Sequence, residues 1–266
     1  MTRLAPTFER LSAANTAGFI AYVMAGDPDA GTTLDMLKGL ADHGADVIEL
    51  GVPFTDPMAD GPTIQRAAIR ALDGGMTLKG VLALVREFRK THADTPIVLM
   101  GYANPFHAMG FENAAALMAE AGADGLICVD IPPEEDTELR GALSAHGLSF
   151  IRLAAPTTND QRLPQVVANT SGFVYYVSTT GVTGAGSGQT GDIKAAVQRV
   201  ATASGLPVAV GFGVKTPERA AEIGAIADAV VVGSAIVDTL DKDGVAKALQ
   251  LASDLAEAAH SAKAQA

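Results

Sequence analysis

One pattern recurs along the chain and restricts its fold more than any other feature. A short apolar run leads into a turn rich in Gly, Pro or Asp, and then into a segment with apolar residues at helical spacing. The runs fall at 19–26, 46–51, 96–100, 125–129, 149–153, 172–177, 207–210 and 228–232. They are rich in Val, Ile, Leu and Ala, as parallel strands covered on both faces must be. The segments between them read as helices. Leu34, Leu37, Leu40 and Ala41 form one stripe, with Gly44 placed for a left-handed cap. Val81, Leu82, Val85 and Phe88 form another behind the N-cap Thr77. Further helices are expected at 62–72, 112–121, 160–168, 192–203 and 244–260, with one running from Pro132 to about His146. Two more open at Thr216-Pro217, where proline takes the first helical position, and at Gly233-Ser234.

Parallel strands with helical crossovers build either an open doubly wound sheet or a closed barrel. Eight units over about 240 residues favour the barrel. The strand–GxGxxG–helix signal of a dinucleotide fold is missing near the N-terminus. The expected class is therefore α/β: a (β/α)8 TIM barrel with an extra N-terminal helix at 7–14. No Pro/Ser-rich linker divides the chain, so 1–266 reads as one domain with a tail that frays from about 261.

Composition narrows the partners. A net charge of −11, without a Lys/Arg cluster, disfavours nucleic acid and anionic membrane. No apolar run approaches the roughly 18 residues of a membrane span, and the polar start MTRLAPTFERL is unlike a signal peptide. The cytoplasm is the expected compartment. A single cysteine, Cys128, excludes an intrachain disulfide and reads as a small core residue, and the five histidines lack ligand spacing, so no metal is expected.

In such barrels the active site lies at the carboxyl ends of the strands. Glu49 interrupts its apolar run there and shares a face with Val47 and Gly51. Burial of that carboxyl should raise its pKa toward neutrality, as a general acid/base requires. The alternative is a buried ion pair, for which Arg152 is the one basic residue in the strand runs. Asp60 follows eleven residues later and could flank the same ligand or only shape a turn. Asp130, before Pro132-Pro133, could be functional or cap the next helix. Tyr175 could face the site or the core. After the last two strands, Gly211-Phe212-Gly213 and Gly233-Ser234 offer backbone amides and a helix start to a phosphate, or make tight turns only. The loop 181–191 carries five glycines, a composition suited to a lid.

Taken together, these stretches resemble the tryptophan synthase α subunit family. The match rests on IELGVPFTDPMADGPTIQRA around Glu49 and Asp60, and on AGDPD, YANP (102–105), DIPPEE (130–135), LAAPTT (153–158), SGFVYYVSTTGVTGA (171–185), VGFGV and VVGSAIV, in order over nearly the whole chain. The resemblance implies retro-aldol cleavage of indole-3-glycerol phosphate to indole and glyceraldehyde 3-phosphate, in the biosynthesis of L-tryptophan. It implies that Glu49 is the acid/base and that Asp60 accepts a hydrogen bond from the indole N–H. Tyr22, Met100, Ile127 and Phe212 would wrap the indole, and Tyr175 would line the site. Thr183 would hold Asp60, and Gly184, Gly213, Gly233 and Ser234 would bind phosphate. Met24 and Thr179-Thr180 depart from the residues common at those places.

The resemblance further implies no metal or organic cofactor in this chain. Pyridoxal phosphate would reside in a β subunit that faces the 53–62 loop, receives the indole within an α2β2 heterotetramer and is coupled to this site allosterically. The competing readings are a stand-alone indole-releasing lyase, another phosphosugar isomerase or epimerase barrel, and an idle barrel kept as a regulatory subunit.

Overall fold

A computed structural model of the chain describes residues 2–178, 190–211 and 213–264. Helix α1 (Leu4–Ala13) precedes β1 (Gly18–Met24), α2 (Ala30–Asp42), β2 (Val47–Gly51), α3 (Pro62–Asp73) and α4 (Leu78–Arg89). The chain continues through β3 (Ile97–Gly101), α5 (Ala103–Met109), α6 (Phe111–Ala121), β4 (Gly125–Cys128), α7 (Thr137–Ala145) and β5 (Ser149–Ala154). It ends with α8 (Leu163–Val167), β6 (Val174–Val177), α9 (Thr190–Ser204), β7 (Val208–Gly211), α10 (Pro217–Gly224), β8 (Ala229–Val232), α11 (Ser234–Asp243) and α12 (Val245–Ser261). The strands pair in parallel in sequence order, and β8 returns to β1, so the sheet is a closed barrel.

Register assigns each residue to a face. Tyr22 pairs with Glu49, and Glu49 with Val98, placing these three on the inner wall. Below them Ile20, Val47, Ile151, Phe173, Ala209 and Ala229 fill the barrel, while Ile48, Leu50, Leu99 and Leu126 face the helices. The two alternating sets explain why the strands read as unbroken apolar runs: both faces leave water. Helix α1 plugs the amino-terminal end. Its Leu4, Phe8 and Leu11 join the interior cluster, with the Phe8 and Phe173 ring centroids 5.5 Å apart. Gly18 lets the helix in, since a β-carbon there would lie 2.8 Å from Leu11 Cδ1. The carboxyl end of the barrel is thereby left for a ligand.

The amino-terminal end is also pinned by Asp124, whose side chain is 1% exposed. One of its oxygens accepts from Arg3 N and Nη1, at 2.8 and 3.0 Å. The other accepts from Arg89 Nη2 and Ile97 N, both at 2.9 Å. Asp124→Ala leaves a nearly buried guanidinium and a strand amide without their acceptor. Urea denaturation is expected to register a loss of about 3–5 kcal/mol, and a loss below 1 kcal/mol would refute this account.

Three expectations need correction. The helix expected from Pro132 begins at Thr137. Residues 132–135 instead form a turn, because Asp136 is drawn into a buried ion pair with Arg152, which also binds the Ile131 carbonyl. The helix expected over 160–168 is only α8: an Asn159 turn precedes it, and Pro164 supplies no amide within its first turn. Helix α5 was not anticipated, being seven residues long and too short for periodicity to reveal. Past α12, Ala262–Ala264 form a 3-10 turn with Ala262 buried beside Gly224.

Candidate active site

At the carboxyl end of the barrel one cavity holds both carboxylates of the signature stretch. Glu49, third residue of β2, points into it and is 1% exposed. Its Oε1 accepts no hydrogen bond from any described residue. Burial without a compensating charge pushes its carboxyl up to about 8. Arg152 does not relieve it: that guanidinium pairs with Asp136 behind β5 and lies over the Phe150 ring. The ion-pair alternative for Glu49 therefore finds no support among the described residues.

Asp60 reaches the same cavity from the loop before α3. Burial raises its carboxyl to about 6, opposed by a hydrogen bond from Tyr102. The Tyr102 hydroxyl donates to Asp60 Oδ2 at 3.1 Å and accepts from the Ala59 amide at 3.0 Å, while its ring stacks on Phe54 at 5.2 Å. Tyr102 thus ties the Asp60 loop to the end of β3 at three places. In the sequence it stands only as the first residue of YANP. Its one local signal was a tyrosine directly after a strand's last residue, and nothing in the sequence linked it to Asp60, 42 positions away.

The far end of the cavity is built from glycine turns. Gly213, with φ 79°, and Val214 contribute after β7, and Gly233 and Ser234 after β8. Helix α11 starts at Ser234, and Val237 N is the amide that reaches back to Gly233 O. The amides of Ser234, Ala235 and Ile236 therefore have no acceptor within the helix and present partial positive charge at this end. Between the two ends Ile64, Met100 and Val231 supply apolar wall, and Tyr22 and Tyr175 stand on the inner face. Glycines make room for both tyrosines: a β-carbon at Gly51 would overlap the Tyr22 hydroxyl, and one at Gly211 that of Tyr175.

Of the remaining sequence candidates, Ile127 pairs with Met100 in register but is fully buried and is not part of the cavity wall. Thr183, Gly184 and Phe212 lie outside the described residues, as does most of the 181–191 loop. Asp130 caps a helix, though not the next one: its Oδ1 accepts from Ala103 N at 2.8 Å, at the start of α5. Cys128 is buried against the outer layer, and burial pushes its thiol up to about 12. Among the described residues no cluster of His, Cys, Asp or Glu could hold a metal ion, and no helix is long and apolar enough to cross a membrane.

Comparison with known proteins agrees with this arrangement. Residues 8–266 match the family model described as tryptophan synthase alpha chain. The tryptophan synthase alpha chain of Caulobacter vibrioides is 59% identical over 98% of this chain and 97% of its own length. That of Phenylobacterium zucineum is 55% identical over 98% and 96%. A crystal structure of tryptophan synthase subunit alpha from Legionella pneumophila superposes with a TM-score of 0.90 at 40% identity, covering 97% of this chain and 98% of that one. A chain that repeats this family's barrel and its sequence from end to end belongs to the tryptophan synthase alpha chain family.

Proposed function

We propose that the cavity between Glu49 and Ser234 performs the family's reaction with Glu49 and Asp60 as its working groups. As a member of the family the chain is a lyase that cleaves indole-3-glycerol phosphate to indole and glyceraldehyde 3-phosphate. The observation that carries the assignment of roles is the shared cavity: a buried and a partly buried carboxyl at one end, free helix amides and glycine turns at the other. An indole-3-glycerol phosphate molecule has matching ends. Its phosphate takes the amides of Gly213, Gly233 and Ser234, and its ring lies against Met100 and Ile64.

The reaction needs a proton delivered to indole C3 and another withdrawn from the hydroxyl on the adjacent chain carbon. The ring then accepts the electron pair of the breaking C–C bond. Glu49 is protonated near neutrality and can donate first, then accept as the carboxylate. Asp60, ionised above about 6, offers its charge to the indole N–H as positive charge develops on the ring. Tyr102 holds one oxygen of Asp60 and leaves the other for the substrate. Tyr175 lines the wall, and Thr183 and Gly184 complete the Asp60 and phosphate contacts by resemblance. Phe212 covers the ring on the same ground.

These assignments give a bell-shaped profile of kcat/KM, rising near pH 6 with Asp60 and falling near pH 8 with Glu49. Tyr102→Phe removes the hydrogen bond that opposes the rise in the Asp60 pKa, so the acid limb moves to higher pH while the basic limb stays. An acid limb unmoved by that change would break the link between the two residues. Measuring indole release across pH tests the whole assignment, and a flat profile contradicts it.

The same reading gives this chain no cofactor of its own. It places pyridoxal phosphate in a β partner within an α2β2 assembly in the cytoplasm. Family membership supports the partner, and the exposed Met58 and Ile69 flank the Asp60 loop where it would dock. Sedimentation of the mixed subunits tests this, and two separate boundaries would contradict it.

A further inference from the structure

The Tyr22 side chain is 7% exposed, and the surface it retains faces the cavity. By family resemblance it is one more apolar wall residue around the indole. Its hydroxyl is placed otherwise. Tyr22 pairs in register with Glu49 on one side and is flanked by Gly233 on the other, where a β-carbon would come 3.2 Å from Tyr22 Cβ. The side chain crosses from the phosphate turn toward the mouth of β2 and ends over Gly51, two residues beyond Glu49. Only glycine at 51 leaves that seat open. Once there, the hydroxyl makes no hydrogen bond to any described residue.

The hydroxyl keeps a face on the cavity and no described residue pairs with it, so a polar group of a ligand can take that place. Burial and then the nearby charges of Asp60 and Glu49 raise its pKa well above the usual value, so it stays protonated and is a donor across the working range. It stands between the phosphate turn and the two carboxyls. Under the function proposed above, on which this inference rests, that stretch of the cavity holds the hydroxyl-bearing carbon chain and neither the ring nor the phosphate.

We propose that the Tyr22 hydroxyl hydrogen-bonds a hydroxyl of the substrate's glycerol chain and so selects hydroxylated chains over plain alkyl ones. A site built to pair with a hydroxyl discriminates against ligands that lack it, because its own polar group is then left buried and unpaired.

The test is Tyr22→Phe in the full chain carrying Glu49→Gln, which allows substrate binding to be titrated without turnover. Two ligands are compared by calorimetry. One is indole-3-glycerol phosphate. The other is its propyl phosphate analogue, with the same ring, spacing and phosphate but neither chain hydroxyl. Losing one hydrogen bond between neutral groups is expected to weaken the glycerol ligand about tenfold. The analogue is expected to change less than about twofold, and its retained binding also reports an intact fold. Equal weakening of both ligands would mean a packing role, and no weakening of either would mean the hydroxyl is idle. Each of these outcomes overturns the proposal. Failure of the unsubstituted chain to release indole defeats the function proposed above, whereas normal indole release with equal ligand ratios defeats this inference alone.

Discussion

Glu49→Gln is expected to lower kcat for indole release by about 10³-fold or more, the upper range of what a positioned acid/base contributes. Substrate affinity should stay nearly intact, because the amide keeps the size and polarity of the carboxyl and the phosphate turns lie at the other end of the cavity. Stability offers an independent readout with a definite sign. The folded carboxyl keeps its proton up to about pH 8, whereas the unfolded one releases it near 4.5. Between those values the native state holds a proton that the unfolded state has lost, so the native protein loses stability as pH rises across that window. Glutamine has no proton to lose. The variant should therefore match the parent at pH 4 and exceed it above pH 8 by an amount on the order of a few kcal/mol. Near-normal turnover would end the catalytic assignment. Parallel stability profiles would end the claim that the carboxyl is desolvated.

Asp60→Asn is expected to cost about 10²–10³-fold in kcat, comparable to removing one preorganised electrostatic contact. Asparagine can still accept a hydrogen bond from the indole N–H through its carbonyl. What it lacks is the negative charge opposite the ring nitrogen as the ring becomes cationic. If charge is the contribution, kcat falls while KM moves little, since the neutral ground-state ring gains less from the carboxylate than the transition state does. The acid limb near pH 6 should vanish from the profile as well. A large rise in KM with kcat preserved would instead make Asp60 a binding residue.

The two substitutions also separate the site's parts. Glu49 sits on a strand inside a closed sheet, and both its register neighbours, Tyr22 and Val98, are fixed by backbone pairing. Asp60 sits on a loop whose contacts among the described residues include the Tyr102 phenol, its ring stack and the Gln65 contact to the Asp60 carbonyl at 2.8 Å. A loop of this kind opens more easily than a strand paired on both sides inside a barrel. Substitutions at Tyr102 should consequently act through Asp60 and leave Glu49 untouched.

Much of this was legible in the residue order. The alternation of buried runs and helical stripes is local information, carried by spacing within a few residues, and it specified eight parallel strands and a barrel. Parity along a single strand put Glu49 on the inner face, and the glycine turns after the last two strands marked the opposite end of the cavity. Tertiary structure decided the rest, because it depends on groups far apart in the chain. Arg152 found Asp136 and left Glu49 uncharged-for, with its carboxyl pushed up to about 8. Asp136 in turn shortened the helix expected from Pro132. Tyr102 took hold of Asp60, Asp130 capped a helix behind it in sequence, and the Tyr22 hydroxyl came to rest on Gly51 with no hydrogen-bond partner among the described residues. Periodicity reports which face of an element is apolar; which charges and hydroxyls meet is settled only when the closed sheet brings its strands into register.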